Sequence, residues 1–259
     1  MEAHLQTVNL GIEVAGRTLV RQLNLNIQSG TFVCVLGTNG AGKTLTLHTL
    51  AGLRQAPGSV LLDGEELTRL SRRIIARRLG LLLQLHEDTF PLSVMDSALM
   101  GRFPQLDFWQ WAGRRDRDIV RKALHKFDLD GLEDRMITTL SGGERERVAL
   151  ATLMVQDPAI WLLDEPLNHL DPHHQIAVLS ELAEVAASGK VVLTTVHNPA
   201  LAMRYATHAL MLYGDGNWEY GEATTMLEPE RLERMYRTPF DYYTAKNAAK
   251  GERPILLPA

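Results

Sequence analysis

One short cassette narrows the possible folds of this chain more than any other feature. Gly37-Thr38-Asn39-Gly40-Ala41-Gly42-Lys43-Thr44 reads G-x-x-x-x-G-K-T, with an apolar run at 31–36 before it and a helix-like segment at 43–53 after it. Strand, glycine-rich turn and helix in that order form a phosphate cradle. The glycines let successive backbone N–H groups turn inward around a phosphate, and the positive end of the helix faces the same anion. Lys43 is expected to reach the β- and γ-phosphates of a nucleotide, and Thr44 to ligate Mg2+.

A second apolar run, Ile160-Trp161-Leu162-Leu163, ends in Asp164 and Glu165. The carboxyl ends of strands in an α/β sheet open onto the ligand crevice. Asp164 is therefore placed to hold the Mg2+ shell, and Glu165 to accept a proton from an attacking water.

The rest of the chain reads as an α/β protein. Short alternating segments at 5–27, broken by Ala15-Gly16-Arg17, and a strand within 58–64 suit a peripheral antiparallel sheet. Runs at 79–84, 159–163 and 191–196 predict buried strands of a parallel sheet with crossover helices. Between Gln84 and Pro158 the periodicity is helical, with Ile119, Ala123, Leu124 and Phe127 apolar in a charged stretch. After Gly221 the pattern turns helical around 230–236, and 239–259 show little regularity. The expected division of this single domain is a core with its antiparallel β-subdomain at 1–84 and 158–221, a helical subdomain at 85–157, and a C-terminal extension at 222–259.

Composition removes other classes. A net charge of −4 gives no basic footprint for nucleic acid. The single cysteine, Cys34, lies in an apolar strand and reads as core filler in a reducing compartment. No apolar stretch matches a membrane span, and Met1-Glu2-Ala3-His4 lacks the layout of a signal peptide. The expectation is a soluble cytoplasmic protein, brought to a membrane only by a partner.

Leu140-Ser141-Gly142-Gly143-Glu144, ahead of Asp164-Glu165, resembles the signature sequence of ATP-binding-cassette ATPases. That resemblance covers nearly the whole chain. It implies a P-loop NTPase cassette with a RecA-like core, an antiparallel β-subdomain and an inserted helical subdomain, using ATP and Mg2+. It also implies that Ser141, Gly142 and Gly143 contact the γ-phosphate of ATP held by the opposite subunit. Ser141 and Glu144 equally form a capping box, S-x-x-E, and Glu144 is expected to serve that cap. By the same resemblance, Gln84 touches Mg2+ and the attacking water, His197 contacts the γ-phosphate and orients Glu165, and Asp171 bridges the subunits. The family's adenine-stacking aromatic is replaced by Val14.

Asn168-His169-Leu170-Asp171-Pro172, Met100-Gly101-Arg102-Phe103-Pro104 and the 229–236 segment look most like ATPase subunits of bacterial iron-siderophore, haem and cobalamin importers. The implied assembly is a homodimer of cassettes at the cytoplasmic face of the inner membrane. Two permease subunits would dock beside residues 85–100, and an extracytoplasmic substrate-binding protein would deliver the cargo. The alternative is the ATPase subunit of an exporter or a non-transport ATPase. Phe108, Trp109 and Trp111 are expected to pack inside the helical subdomain rather than form an exposed patch.

Overall fold

The apolar run ahead of the phosphate loop forms the strand Phe32–Leu36, and all five of its residues are buried. A strand flanked on both faces must be apolar throughout, which is why this run does not alternate. Phe32, Cys34 and Leu36 pack into one core with the helices, while Val33 and Val35 pack into a second core with the β-subdomain and the helix after the phosphate loop. These relations come from a computed structural model that describes residues 4–84, 91–107, 109–243 and 255–258.

The central sheet has six strands in the order Trp218–Glu222, His208–Leu212, Phe32–Leu36, Val191–Thr195, Ile160–Leu163, Leu79–Leu82. Its internal pairings are parallel and only the Trp218–Glu222 edge is antiparallel. Parallel pairing brings the carboxyl ends of four strands to one edge, so the residues that follow them converge: the phosphate loop, Gln84, Asp164-Glu165 and His197. A four-stranded antiparallel sheet, Asn26–Gln28, His4–Val8, Ser59–Leu62 and Glu65–Glu66, and the hairpin Leu10–Val14 with Arg17–Leu23 form the peripheral layer. Helices Val94–Leu99, Arg114–Lys126 and Gly142–Gln156, which fall in sequence between the paired strands Leu79–Leu82 and Ile160–Leu163, pack on one another.

Four expectations need correction. The helix after the phosphate loop ends at Leu50, short of 53, where the chain turns at Ala51-Gly52. The strand expected at 79–84 ends at Leu82, leaving Gln84 exposed beyond it. The tail is not irregular: Phe240–Tyr243 pairs antiparallel with Ile255–Pro258. Trp109 and Trp111 do not pack inside the helical layer, being 88% and 92% exposed; Phe108 lies outside the described residues. The core between the three helices is already filled by residues such as Val120, Leu124 and Leu150, which leaves the indoles no place inside. Cys34 is core filler as expected, and burial pushes its thiol pKa up.

Candidate active site

The helix Lys43–Leu50 starts from Gly42, whose φ of +99° is left-handed and unfavourable for any residue with a Cβ. A Cβ on Gly37 would stand 2.5 Å from the Leu212 carbonyl oxygen, so glycine is required there by close approach. Ser71, Ser93, Ser141, Asp171 and Asn198 each cap a helix with a side-chain acceptor, whereas this helix has none. Its first N–H groups are left to an anion, and the residues present fit a nucleotide phosphate. Lys43 is buried, and its ammonium donates to the carbonyls of Gly37 at 2.8 Å and Thr38 at 3.3 Å. Burial draws its pKa down, while the charges of Glu165 and Asp164 push it back up.

The acidic pair is organised by Thr195. Its hydroxyl donates to Asp164 Oδ1 at 3.0 Å and accepts the Glu165 N–H at 2.6 Å. Asp164 is fully buried and its Oδ2 has no hydrogen-bond partner. A buried, unpartnered carboxylate oxygen close enough for its charge to act on Lys43 suits a hard cation such as Mg2+. Glu165 sits at φ +53°, a strained setting for a non-glycine residue. Its Oε2 accepts from Asn168 Nδ2 at 2.6 Å and Gln84 Nε2 at 3.3 Å, and its Oε1 lies 2.9 Å from His197 Nε2. Burial alone would raise the Glu165 pKa. The hydrogen bonds of Asn168 and His197, with the charges of His197 and Lys43, outweigh that and hold it below the usual carboxylate range.

Glu165 and His197 line an open cavity of about 390 Å³ together with Asn39, Gly40, Lys43 and Thr44, and Leu19 closes its side against Gly42. The arrangement joins an anion cradle to a carboxylate kept ionised beside it. Thr195 and Leu19 escaped the sequence reading, and Asn168 entered it only within Asn168-His169-Leu170-Asp171-Pro172, with no part in the site. Thr195 is a β-branched residue in a buried strand and looks like filler.

None of Ser141, Gly142, Gly143 and Asp171 lines this cavity. Ser141 and Glu144 form the expected capping box: Ser141 Oγ accepts the Glu144 N–H at 3.2 Å, and Glu144 Oε2 accepts the Ser141 N–H at 2.7 Å. A Cβ on Gly143 would come within 2.9 Å of the His169 carbonyl oxygen. Asp171 caps the helix Pro172–Ala187 through the His174 N–H and holds the His174 ring, both at 2.9 Å. Val14, at the end of its hairpin strand, is 39% exposed and does not line the cavity; Leu19 is the hairpin residue that does.

Comparison with known proteins agrees with this geometry. Residues 20–168 match the ABC transporter family model. The chain is 34% identical over 237 residues to the ferric enterobactin transport ATP-binding protein FepC of Escherichia coli, covering 90% of this chain and 87% of that protein. It is 37% identical over 241 residues to the hemin import ATP-binding protein HmuV of Pseudomonas fluorescens, covering 90% and 92%. A chain from the inward-facing structure of a metal-chelate type ABC transporter superposes with a TM-score of 0.85 at 27% identity, covering 99% of this chain and 98% of that one. The chain belongs to the ATP-binding-cassette transporter family, as an ATP-binding subunit whose hydrolysis of ATP is coupled to transport.

Proposed function

We propose that two copies of this chain pair head to tail around two ATP molecules and drive a permease that imports a metal chelate of the iron-siderophore, haem or cobalamin class. Support for the cargo class comes from the names of FepC and HmuV and from the metal-chelate transporter structure. Support for the pairing comes from the cavity at the phosphate cradle, whose lining within one chain does not include the Ser141-Gly142-Gly143 turn. A two-fold would make both ATP sites equivalent, each completed by the other copy's Ser141, Gly142, Gly143 and Asp171.

The hydrolytic reading is carried by one observation: Gln84, Asn168 and His197 all converge on the Glu165 carboxylate. In this reading Gly37, Thr38, Asn39, Gly40, Ala41 and Gly42 wrap the phosphates, Lys43 neutralises them, and Val14 covers the adenine. Glu165 takes the proton of the attacking water while Gln84 and His197 fix its orientation. Mg2+, held by Thr44, Gln84 and Asp164, would supply neutralisation of phosphate charge. Among the described residues no helix is long and apolar enough to cross a membrane. The subunit would therefore dock on a permease at the cytoplasmic face of the inner membrane, through the groove beside residues 85–100, of which 85–90 lie outside the described residues. A substrate-binding protein would present the cargo on the far side.

The test is Glu165→Gln, reconstituted with its permease in vesicles. The isosteric amide keeps shape but cannot take the proton, so ATP should bind while hydrolysis slows at least ~100-fold and chelate uptake stops. Near-normal turnover would remove Glu165 from this role. Wild-type hydrolysis without uptake of haem, cobalamin or ferric siderophore would remove the import reading and leave the ATPase.

A further inference from the structure

Past the turn Met100–Arg102 the chain forms an aromatic ledge. Phe103 is 62% exposed, and Trp109 and Trp111 stand almost wholly in water. Large rings are normally kept for cores and interfaces, because each can bury roughly 150–250 Å². The loop beneath them is well anchored. Arg77 donates to the Pro104 carbonyl at 2.6 Å, Arg73 donates to the Leu106 carbonyl, Gln105 Nε2 donates to the Gln156 carbonyl at 2.5 Å, and Leu106 is buried.

The ledge is also basic. The helix Arg114–Lys126 begins shortly after Trp111 and opens with Arg114, Arg115 and Arg117, all exposed. Neighbouring carboxylates are committed elsewhere: Asp116 pairs with Arg102 at 2.9 Å, Asp118 with Arg121 at 2.9 Å, and Asp107 faces Arg73 at 3.4 Å. No ion pair engages Arg114, Arg115 or Arg117 among the described residues. The charge of Arg115 acts on Asp116, which Arg102 already pairs, and cations in the first turn oppose the helix dipole, so the isolated fold gains little from these three guanidiniums.

We propose that this ledge rests on the anionic lipid headgroups around the permease, with the Trp109 and Trp111 indoles at headgroup level and the arginines on lipid phosphates. Indoles favour the membrane–water interface, and arginines are drawn to an anionic leaflet. A permease loop is the poorer occupant, because cytoplasmic loops of membrane proteins carry excess Lys and Arg and would repel this surface. The proposal rests on the reading of the chain as a subunit at the cytoplasmic face of a membrane.

The test titrates the purified full-length protein with phosphatidylglycerol-rich vesicles and with phosphatidylcholine vesicles. Tryptophan emission should shift to the blue, and partition should be at least ~10-fold stronger on the anionic vesicles. Trp109→Ser with Trp111→Ser should abolish the shift, and Arg114→Gln with Arg115→Gln and Arg117→Gln should abolish the lipid preference. Both variants should keep ATP hydrolysis, since neither touches the cavity. Absence of vesicle binding, equal binding to both vesicles, or binding unchanged in the variants would overturn the proposal. A tryptophan variant that loses its permease in detergent, while the wild type ignores vesicles, would assign the ledge to protein contact instead. None of these results alters the uptake and hydrolysis read on Glu165→Gln.

Discussion

At Glu165, burial works against ionisation and the neighbouring side chains reverse it, so the ionised carboxylate depends on the hydrogen bonds of Asn168 and His197. Thr195 adds rigidity by joining the Glu165 backbone to the Asp164 carboxylate. Val14 is the weak point of the proposed nucleotide site, because an aliphatic side chain forfeits stacking on a base. Val14→Tyr should tighten ATP binding by up to about 1 kcal/mol, roughly fivefold, measured by calorimetry or fluorescence titration. Inorganic triphosphate should gain nothing. Equal tightening of both ligands would point to a stiffer hairpin, and no gain for ATP would put adenine elsewhere. The residues named from sequence were those with fixed spacing to the phosphate loop or the signature. Thr195 carries no such spacing, and its role became visible only when the strands Ile160–Leu163 and Val191–Thr195 were paired, whereas Asn168 reaches Glu165 from three residues on through the local turn of the chain.

The helix Gly142–Gln156 carries an internal cost. Glu146 is buried on it, its Oε1 has no hydrogen-bond partner, and burial pushes its pKa up to about 8. The unfolded chain releases this proton near the ordinary value of 4.5, but the folded chain holds it to about 8. Stability from this group is therefore full below the lower value and is lost as pH rises through the upper one. Glu146→Gln should be close to neutral at pH ~5 and stabilising by on the order of 1–3 kcal/mol at pH ~8, read by thermal unfolding. An identical difference at both pH values would contradict the linkage. Among elements, buried runs such as Val191–Thr195 were legible because continuous apolar sequence in an α/β chain means a central strand. Trp218–Glu222 was not, because an edge strand of intermediate burial shows no alternation. The Phe240–Tyr243 pairing was hidden by the sequence distance to its partner, and the exposure of Trp109 and Trp111 by the fact that apolar composition says nothing about which side a loop faces.

For the whole molecule, the chain supplies one phosphate cradle and one Ser141-Gly142-Gly143 turn, and the turn does not line the cavity at the cradle. A working unit of two chains, each completing the other's ATP site, is the central claim. It is tested most directly by the ATP hydrolysis rate of mixed mutants. Lys43→Ala and Ser141→Arg are each expected to be inactive alone, because every site in either homodimer is damaged. In the heterodimer both defects fall in one site and the other stays intact. The account predicts that partial hydrolysis returns on mixing, while inactivity of heterodimers shown to have formed would contradict the head-to-tail arrangement with independently competent sites.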